Sequence, residues 1–324
     1  MKKLVTFILV LSLVLGLGTV AFADEYEDKS EVTINKTLTI VNQGTKNPSE
    51  TFSFTVVEGS GERDGQSIPA PEFDQEDAAF EITIDAGETE ASTDINLPDF
   101  TQVGVYTYTL KENPGTTAGM RYDSNEYYLV VTVINNPAFG EEGEPQFLRV
   151  LTLQGEGNLK EEGFENQFEA GSLTVHKVVT GNYGDPNDEF KVTVTLTPQG
   201  ELELNDESIE ALGADSYNQD AETGVITIVY TVMDGESFTI NNIPYDVDYK
   251  VEETGYTDGY DPSYDGNESG EIDEPAQETT ITNNRDIEID TGINLDSMPY
   301  YAVLAIAIGG LAVFLIRRRL IINS

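Results

Sequence analysis

The 324-residue sequence predicts an all-β fold of two tandem antiparallel β-sandwiches, placed between an export signal and a C-terminal membrane helix. Three observations carry this prediction. Short segments alternate apolar and polar residues, the chain repeats its own motifs once, and long apolar runs occur only at the termini. The alternating segments are rich in Val, Ile, Thr, Tyr and Phe and are separated by Gly, Pro, Asn and Asp, which is typical of antiparallel sandwiches.

The N-terminus predicts a secretory signal peptide over residues 1–23. Lys2 and Lys3 precede an apolar run that ends in the small-residue cleavage pattern closed by Ala23. An acidic segment follows at once, which favours cleavage after Ala23 over the alternative, an uncleaved membrane anchor.

The C-terminus predicts a membrane-anchored sorting segment over residues 286–324. Residues 298–316 carry no charge and, as a helix, would reach about 28 Å, near the hydrocarbon thickness of a bilayer. Arg317–Arg319 follow the apolar run and predict that its end stays in the cytoplasm. The body of the protein would then lie outside the cell, although a plain single-span anchor would show the same pattern.

Composition excludes several classes of function. The net charge of −42 keeps the chain soluble and disfavours nucleic acid as a partner. With no cysteine and a single histidine, thiol nucleophiles and multi-histidine zinc centres are excluded, and no cofactor or metal is predicted. The histidine, His176, lies in an alternating run and is predicted to be an ordinary strand residue. An exported protein without disulfides needs another source of durability.

The internal repeat predicts two domains, at residues 30–170 and 171–285, joined by a very short connection. In both copies a lysine on the first strand is followed, after the same 76 residues, by a glutamate on a later strand. The matching motifs are Val32-Thr-Ile-Asn-Lys36 with Leu173-Thr-Val-His-Lys177, and Tyr106-Thr-Tyr-Thr-Leu-Lys-Glu112 with Asp248-Tyr-Lys-Val-Glu-Glu253. A short joint suits a stiff rod better than a flexible array.

Each copy also ends in an asparagine, which completes a candidate reactive triad. If the first and last strands of each sandwich are neighbours, the lysine and asparagine face each other across the core. Burial would lower the lysine pKa and raise the glutamate pKa, leaving a neutral amine beside a protonated acid. Such a pair can form a Lys–Asn isopeptide bond with loss of ammonia. The predicted triads are Lys36, Glu112 and Asn166, and Lys177, Glu253 and Asn283.

A plainer interpretation stays open for the same residues. Lysine and glutamate on neighbouring strands are usually exposed cross-strand pairs, and an asparagine at a strand end is usually a turn residue. Glu252 and Asn284 adjoin the chosen residues, and one strand step would reverse the facing of a side chain.

The body of the chain resembles the streptococcal T-antigen-type major pilins and the related pilin isopeptide-linkage domains. The resemblance runs from about Val32 to Gly292 and is strongest at the repeated motifs given above. It implies immunoglobulin-like, CnaB-type sandwiches and an intramolecular isopeptide bond in each.

The same resemblance implies how the subunit would be assembled. Glu288-Ile-Asp-Thr-Gly292 stands where the family carries its sorting motif, although Asp290 replaces the usual proline. A sortase would cut between Thr291 and Gly292 and pass Thr291 to an amine. Lys160 is the nearest match to the family's polymerisation lysine; a solvated loop lysine is the alternative.

We therefore expect a structural protein of the Gram-positive cell surface, a pilus shaft subunit and not an enzyme. Its partners would be a sortase, other copies of the subunit or cell-wall peptidoglycan, and possible host or surface ligands. The alternative is a monomeric wall-anchored adhesin or spacer. An enzyme acting on an external substrate is disfavoured, because the sequence shows no nucleophile–base motif outside the triads.

Overall fold

The computed structural model describes residues 27–155, 157, 159–160, 163–254, 259–288 and 298–322. The predicted signal peptide and the predicted Thr291–Gly292 junction lie outside these residues. The chain up to Arg285 clusters as one compact unit, and the remainder forms a second unit that is described by itself.

The N-terminal sandwich consists of two sheets. The first has four strands in the order β5-β1-β10-β7: β1 (Glu31–Ile40), β5 (Glu90–Asn96), β7 (Met120–Arg121) and β10 (Gly163–Phe168). The second has the order β3-β2-β6-β8-β9, and β4 also pairs with β2: β2 (Glu50–Arg63), β3 (Gln66–Pro69), β4 (Ala79–Ile84), β6 (Gly104–Asn113), β8 (Glu126–Asn135) and β9 (Phe147–Gln154). A one-turn helix, α1 (Gln75–Ala78), precedes β4.

The C-terminal sandwich also has two sheets. One has the order β15-β11-β19-β17: β11 (Ala170–Thr180), β15 (Ser237–Pro244), β17 (Asp261–Asp265) and β19 (Ala276–Asn284). The other has the order β13-β14-β12-β16-β18: β12 (Phe190–Pro198), β13 (Ser216–Gln219), β14 (Ile226–Val232), β16 (Val247–Thr254) and β18 (Ser269–Ile272). A single 3₁₀ turn, Asp206–Ser208, lies between β12 and β13.

Strict alternation of side chains builds each core. Along β1 the odd-numbered residues face solvent, while Val32, Ile34, Lys36 and Leu38 are buried. The inward residues of the two sheets meet in one hydrophobic cluster per sandwich, so a lysine in the inward register of β1 lies in the core.

The first and last strands of each sandwich are parallel neighbours within otherwise antiparallel sheets. β1 pairs with β10, setting Leu38 opposite Asn166, and β11 pairs with β19, setting Val179 opposite Asn283. In both sandwiches the residue opposite the asparagine therefore lies two positions after the triad lysine. A two-residue offset keeps both side chains on the same, inner face of the sheet.

The two sandwiches are joined tightly. Only Glu169 separates β10 from β11, and its amide donates to the Gly119 carbonyl at 2.9 Å. Ala118, from the loop before β7, is fully buried in the hydrophobic cluster of the C-terminal sandwich. Arg121 forms an ion pair with Asp246 at 2.5 Å. These contacts make the connection short and densely packed.

The apolar tail forms helix α2 (Met298–Ile322), which continues past the predicted end at Ile316 through the arginines. Its segment Pro299–Arg318 is long and apolar enough to cross a membrane, with a mean hydropathy of 2.1. The all-β sandwich fold and the C-terminal apolar helix are thus confirmed. The division into domains at residue 170 stays a prediction.

Candidate functional site

Three strands bring the first triad together in the N-terminal core. Lys36 points inward from the middle of β1, and Asn166 points inward from β10 beside it. Glu112 reaches them from the opposing sheet, near the end of β6, where it lies opposite Phe54 of β2. We call Lys36, Glu112 and Asn166 the N-terminal triad.

The carboxylate of Glu112 bridges the other two side chains of the N-terminal triad. Lys36 Nζ donates to Glu112 Oε2 at 2.8 Å, and Asn166 Nδ2 donates to Glu112 Oε1 at 2.6 Å. Lys36 and Asn166 are 0% exposed, and so is the Glu112 side chain. An exposed surface pair, the plainer interpretation, does not describe these residues.

Aromatic rings seal this site from water. The Lys36 ammonium lies 5.0 Å from the centroid of the Phe52 ring, and Phe54, Tyr127 and Phe164 pack against one another nearby. Burial is the main cause that lowers the pKa of Lys36, opposed by the hydrogen bond with Glu112. Burial likewise raises the pKa of Glu112, opposed by its hydrogen bonds with the other two members. Both shifts favour a neutral amine beside a protonated acid.

A fourth residue, Asp123, contacts the Asn166 amide. The Asp123 backbone N–H donates to Asn166 Oδ1 at 2.7 Å, which orients the amide so that its Nδ2 faces Glu112. Sequence reasoning missed this contact. The only local signal is the turn-forming pattern Tyr122-Asp-Ser-Asn125, which says nothing about an asparagine more than forty positions away.

The second triad, Lys177, Glu253 and Asn283, assembles in the same way in the C-terminal core. Asn283 Nδ2 donates to Glu253 Oε1 at 2.6 Å, and Lys177 Nζ lies 3.2 Å from Glu253 Oε2. The lysine is 2% exposed and lies 4.2 Å from the centroid of the Phe190 ring. Burial lowers the pKa of Lys177, with its attraction to Glu253 acting in the opposite direction. We call this set the C-terminal triad.

The C-terminal triad is less completely hydrogen-bonded than the N-terminal one. Lys177 Nζ lies within ion-pair distance of Glu253 Oε2, at 3.2 Å, but the angles at these atoms are unsuitable for a hydrogen bond. Glu253 Oε2 therefore accepts no hydrogen bond from the described residues. We treat the contact as electrostatic, because angle governs hydrogen-bond strength and not charge attraction. Among the residues that the structure describes, Asn283 Oδ1 has no hydrogen-bond donor either.

The residues that adjoin the C-terminal triad face outward. Glu252 is paired with Lys250 at 2.7 Å on the outer face of β16. Asn284 is exposed and accepts from Thr180 Oγ1 at 3.0 Å. Side-chain alternation thus separates Glu253 and Asn283 from both of them.

The other predicted residues lie on surfaces. Lys160 is exposed and forms an isolated bridge with Gln154, next to exposed Leu159. His176 lies on an outer strand face, 3.9 Å from Glu278. The described part of the chain contains no group of three or more acidic or histidine side chains placed to hold a metal.

The arrangement of each triad suits one reaction. A neutral lysine amine is a nucleophile, the asparagine amide is an electrophile, and a protonated glutamate between them can carry protons from one nitrogen to the other. Fixed neighbouring strands supply the proximity that a reaction between two poor partners needs.

Comparison with known proteins agrees with this geometry. Residues 32–169 match the family described as the Spy0128-like isopeptide containing domain, FctA, and residues 171–285 match a domain family of unknown function. A curated protein of Streptococcus pyogenes serotype M1, described as a pilin, is 25% identical over 93% of this chain and 94% of its own length.

Solved structures show the same fold. The major pilin T3.2 of S. pyogenes is 24% identical, with a TM-score of 0.54 over 80% of this chain and 99% of its own. The major pilin T-13 of S. pyogenes is 23% identical, with a TM-score of 0.52 over 80% of this chain and 98% of its own. The chain thus shares the fold of the streptococcal major pilins, and its residues 32–169 match the model of the Spy0128-like isopeptide containing domain family.

Proposed function

We propose that this protein is a structural subunit of a cell-surface pilus, stabilised by two self-formed isopeptide bonds, Lys36–Asn166 and Lys177–Asn283. One observation carries the proposal: two buried Lys–Glu–Asn triads lie in matching registers of two sandwiches. A structural salt bridge would not need an asparagine amide on each carboxyl. The protein is no enzyme in the usual sense, because each triad would react once.

Durability explains why a shaft subunit would carry such bonds. Each bond would join the first and last strands of a sandwich, so a pulling force along the chain could not separate them without breaking a covalent bond. The chain has no cysteine and hence no disulfide that could serve instead.

We further propose export, sorting and polymerisation. The apolar helix α2 would hold the exported chain in the membrane until a sortase cleaves between Thr291 and Gly292. Exposed Lys160 of another copy would then attack the Thr291 thioester and extend the polymer, whose base would be attached to peptidoglycan. The short, densely packed connection between the sandwiches suits the stiffness of a shaft.

Immunoblotting of cell-wall extracts tests the polymer. Wild-type chains expressed with a sortase should give a ladder of covalent multimers, and Lys160→Arg should collapse it to monomer. Lys29→Arg, which changes another exposed lysine of the N-terminal sandwich, is the matched control and should leave the ladder intact. A wild-type product that remains monomeric would contradict the shaft and support a monomeric wall-anchored adhesin or spacer.

A further inference from the structure

Asp123 contacts the N-terminal triad through its backbone N–H, while its carboxylate bonds to residues outside the triad. Its backbone N–H points at Asn166 Oδ1, the oxygen on which negative charge would develop when an amine attacks the amide carbon. The distance of 2.7 Å lies at the short end of the range found for oxyanion-stabilising donors. Because the site is closed to water, a hydrogen bond from a single donor to a charged oxygen is stronger there than it would be in water.

The Asp123 carboxylate holds that N–H in place. It accepts four hydrogen bonds: Oδ1 from Asn125 N and Nδ2, each at 2.8 Å, and Oδ2 from Tyr127 hydroxyl at 2.7 Å and Glu165 N at 3.2 Å. Asp123 is 8% exposed. The carboxylate thus ties its own turn to β8 and to the residue just before Asn166. Such a network leaves the donor little freedom to move.

The register explains why this turn, which follows β7, lies beside β10. β7 runs antiparallel to β10 and sets Arg121 opposite Gln167. Two residues further along, the chain reaches Asp123 opposite Glu165, in agreement with the hydrogen bond between them.

The C-terminal triad lacks this device in the part of the chain that the structure describes. Its corresponding strand, β17, sets Ser263 opposite Thr282, the residue before Asn283, and Ser263 has a hydroxyl, donating to the Thr282 carbonyl at 3.4 Å, where Asp123 has a carboxylate. Asn283 Oδ1 is buried without a described donor. The C-terminal triad therefore serves as an internal control, because it has the same three types of side chain and no residue in the role of Asp123.

We propose that Asp123 positions an oxyanion-stabilising backbone donor for the Lys36–Asn166 reaction, so that the N-terminal triad reacts faster than the C-terminal triad. The inference rests on the proposed isopeptide chemistry. Lys36 Nζ bonds to Asn166 Cγ, and the carbonyl electron pair moves to Oδ1, to which the Asp123 N–H donates a hydrogen bond. Glu112 takes a proton from Nζ and delivers one to Nδ2. The pair on Oδ1 then returns, the Cγ–Nδ2 bond breaks, and ammonia leaves.

The rate of each crosslink in one chain tests this. The full chain, kept unfolded and uncrosslinked in urea with a mild detergent for its apolar helix, is diluted into buffer and sampled over time. Mass spectrometry of protease digests then counts the two joined peptides separately. In wild type we expect the Lys36–Asn166 product first. Asp123→Ala should slow that product about 100-fold, as loss of an oxyanion donor does, and leave Lys177–Asn283 unchanged.

Two further readouts separate positioning from a general packing defect. Asp123→Asn should recover most of the rate, because an asparagine oxygen still accepts from Asn125 N and keeps the turn. The upper pH inflection of the rate should not rise in Asp123→Ala, because burial is the main cause that lowers the pKa of Lys36. The Asp123 charge raises the pKa values of both Lys36 and Glu112, so its loss would lower both. The charged groups that face Lys36, besides Glu112 and Asp123, are Glu165 and, more weakly, Glu50.

The outcomes are distinct. An Asp123→Ala chain that crosslinks Lys36 to Asn166 within about twofold of the wild-type rate overturns the inference, since lost donors cost far more. Slowing with the upper inflection displaced upward, toward the ordinary lysine pKa, also overturns it, because water has then entered. If Asp123→Ala does not fold, the Tyr127→Phe variant replaces it, because it removes one hydrogen bond to the Asp123 carboxylate. Slowing of the Lys36–Asn166 crosslink by about threefold to tenfold, the contribution of one hydrogen bond, supports the inference, and an unchanged rate refutes it. A wild-type chain that forms neither product instead refutes the proposed function.

Discussion

Replacing Glu112 by glutamine should abolish the Lys36–Asn166 bond while preserving the shape of the core. The amide oxygen can still accept from Lys36 Nζ, but the amide cannot carry a proton between the two nitrogens. The intact mass should rise by one ammonia relative to wild type. Glu126→Gln is the matched control, because Glu126 is half exposed and its pair with Lys111 lies on the surface.

The expected loss of stability follows from the loop that the bond closes. A crosslink between residues 36 and 166 spans more than 100 residues, for which chain entropy predicts about 5 kcal/mol by analogy with disulfides. The glutamine Nε2 would also face Asn166 Nδ2, donor against donor, at a further cost of about 1–3 kcal/mol. In a unit of this size each kcal/mol lowers Tm by about 2–4 °C, so the combined loss of about 6–8 kcal/mol should lower Tm by about 12–32 °C.

Scanning calorimetry combined with intact mass provides the assay. Glu126→Gln should keep both crosslinks and leave Tm almost unchanged, because solvent screens this exposed ion pair. A Glu112→Gln chain that retains its ammonia yet melts within about 5 °C of wild type would refute this stabilisation, since that shift corresponds to at most about 2.5 kcal/mol.

Three further predictions concern other parts of the molecule. The crosslinking rate of the N-terminal triad should depend on pH with a bell-shaped profile, because the reaction needs a neutral Lys36 amine and a protonated Glu112 carboxyl. Low pH protonates the amine, and high pH ionises the carboxyl, so the rate falls on both sides. Mass spectrometry of samples quenched at set times should place both inflections between the ordinary pKa values of 4.5 and 10.5. Burial raises the pKa of the Glu112 carboxyl and lowers the pKa of the Lys36 amine. Gly119→Ala should lower stability by about 1–3 kcal/mol in urea unfolding, because φ is +74° and a Cβ would lie 2.4 Å from the Glu169 carbonyl oxygen; an unchanged midpoint would contradict the tight joint. Asn283→Ala should retain one ammonia and Asn284→Ala none, by intact mass; the reverse result would mean that the register of β19 is wrong.

Alternation made the lysines and glutamates of the two triads visible in the sequence. In Val32-Thr-Ile-Asn-Lys36 the lysine occupies the same face as two core residues, and the repeat places Lys177 likewise. The same period separated Glu253 and Asn283 from their outward neighbours once the strands were assigned. These inferences needed only local geometry.

Long-range pairing was not readable from the sequence. Nothing local indicates that β1 and β10 run parallel, or that the residue opposite each asparagine follows the triad lysine by two positions. The contact of Asp123 with Asn166 depends on the register of β7, a strand of only two residues that has no periodic signal. Burial of Ala118 in the C-terminal core depends on how the two sandwiches meet, which composition does not encode.

The most direct test of the account is the intact mass of the mature chain, followed by sequencing of the joined peptides. We expect a mass two ammonias below that of the sequence, with Lys36 joined to Asn166 and Lys177 joined to Asn283. A mass equal to that of the sequence would contradict it, and the triads would then be buried polar clusters without a reaction.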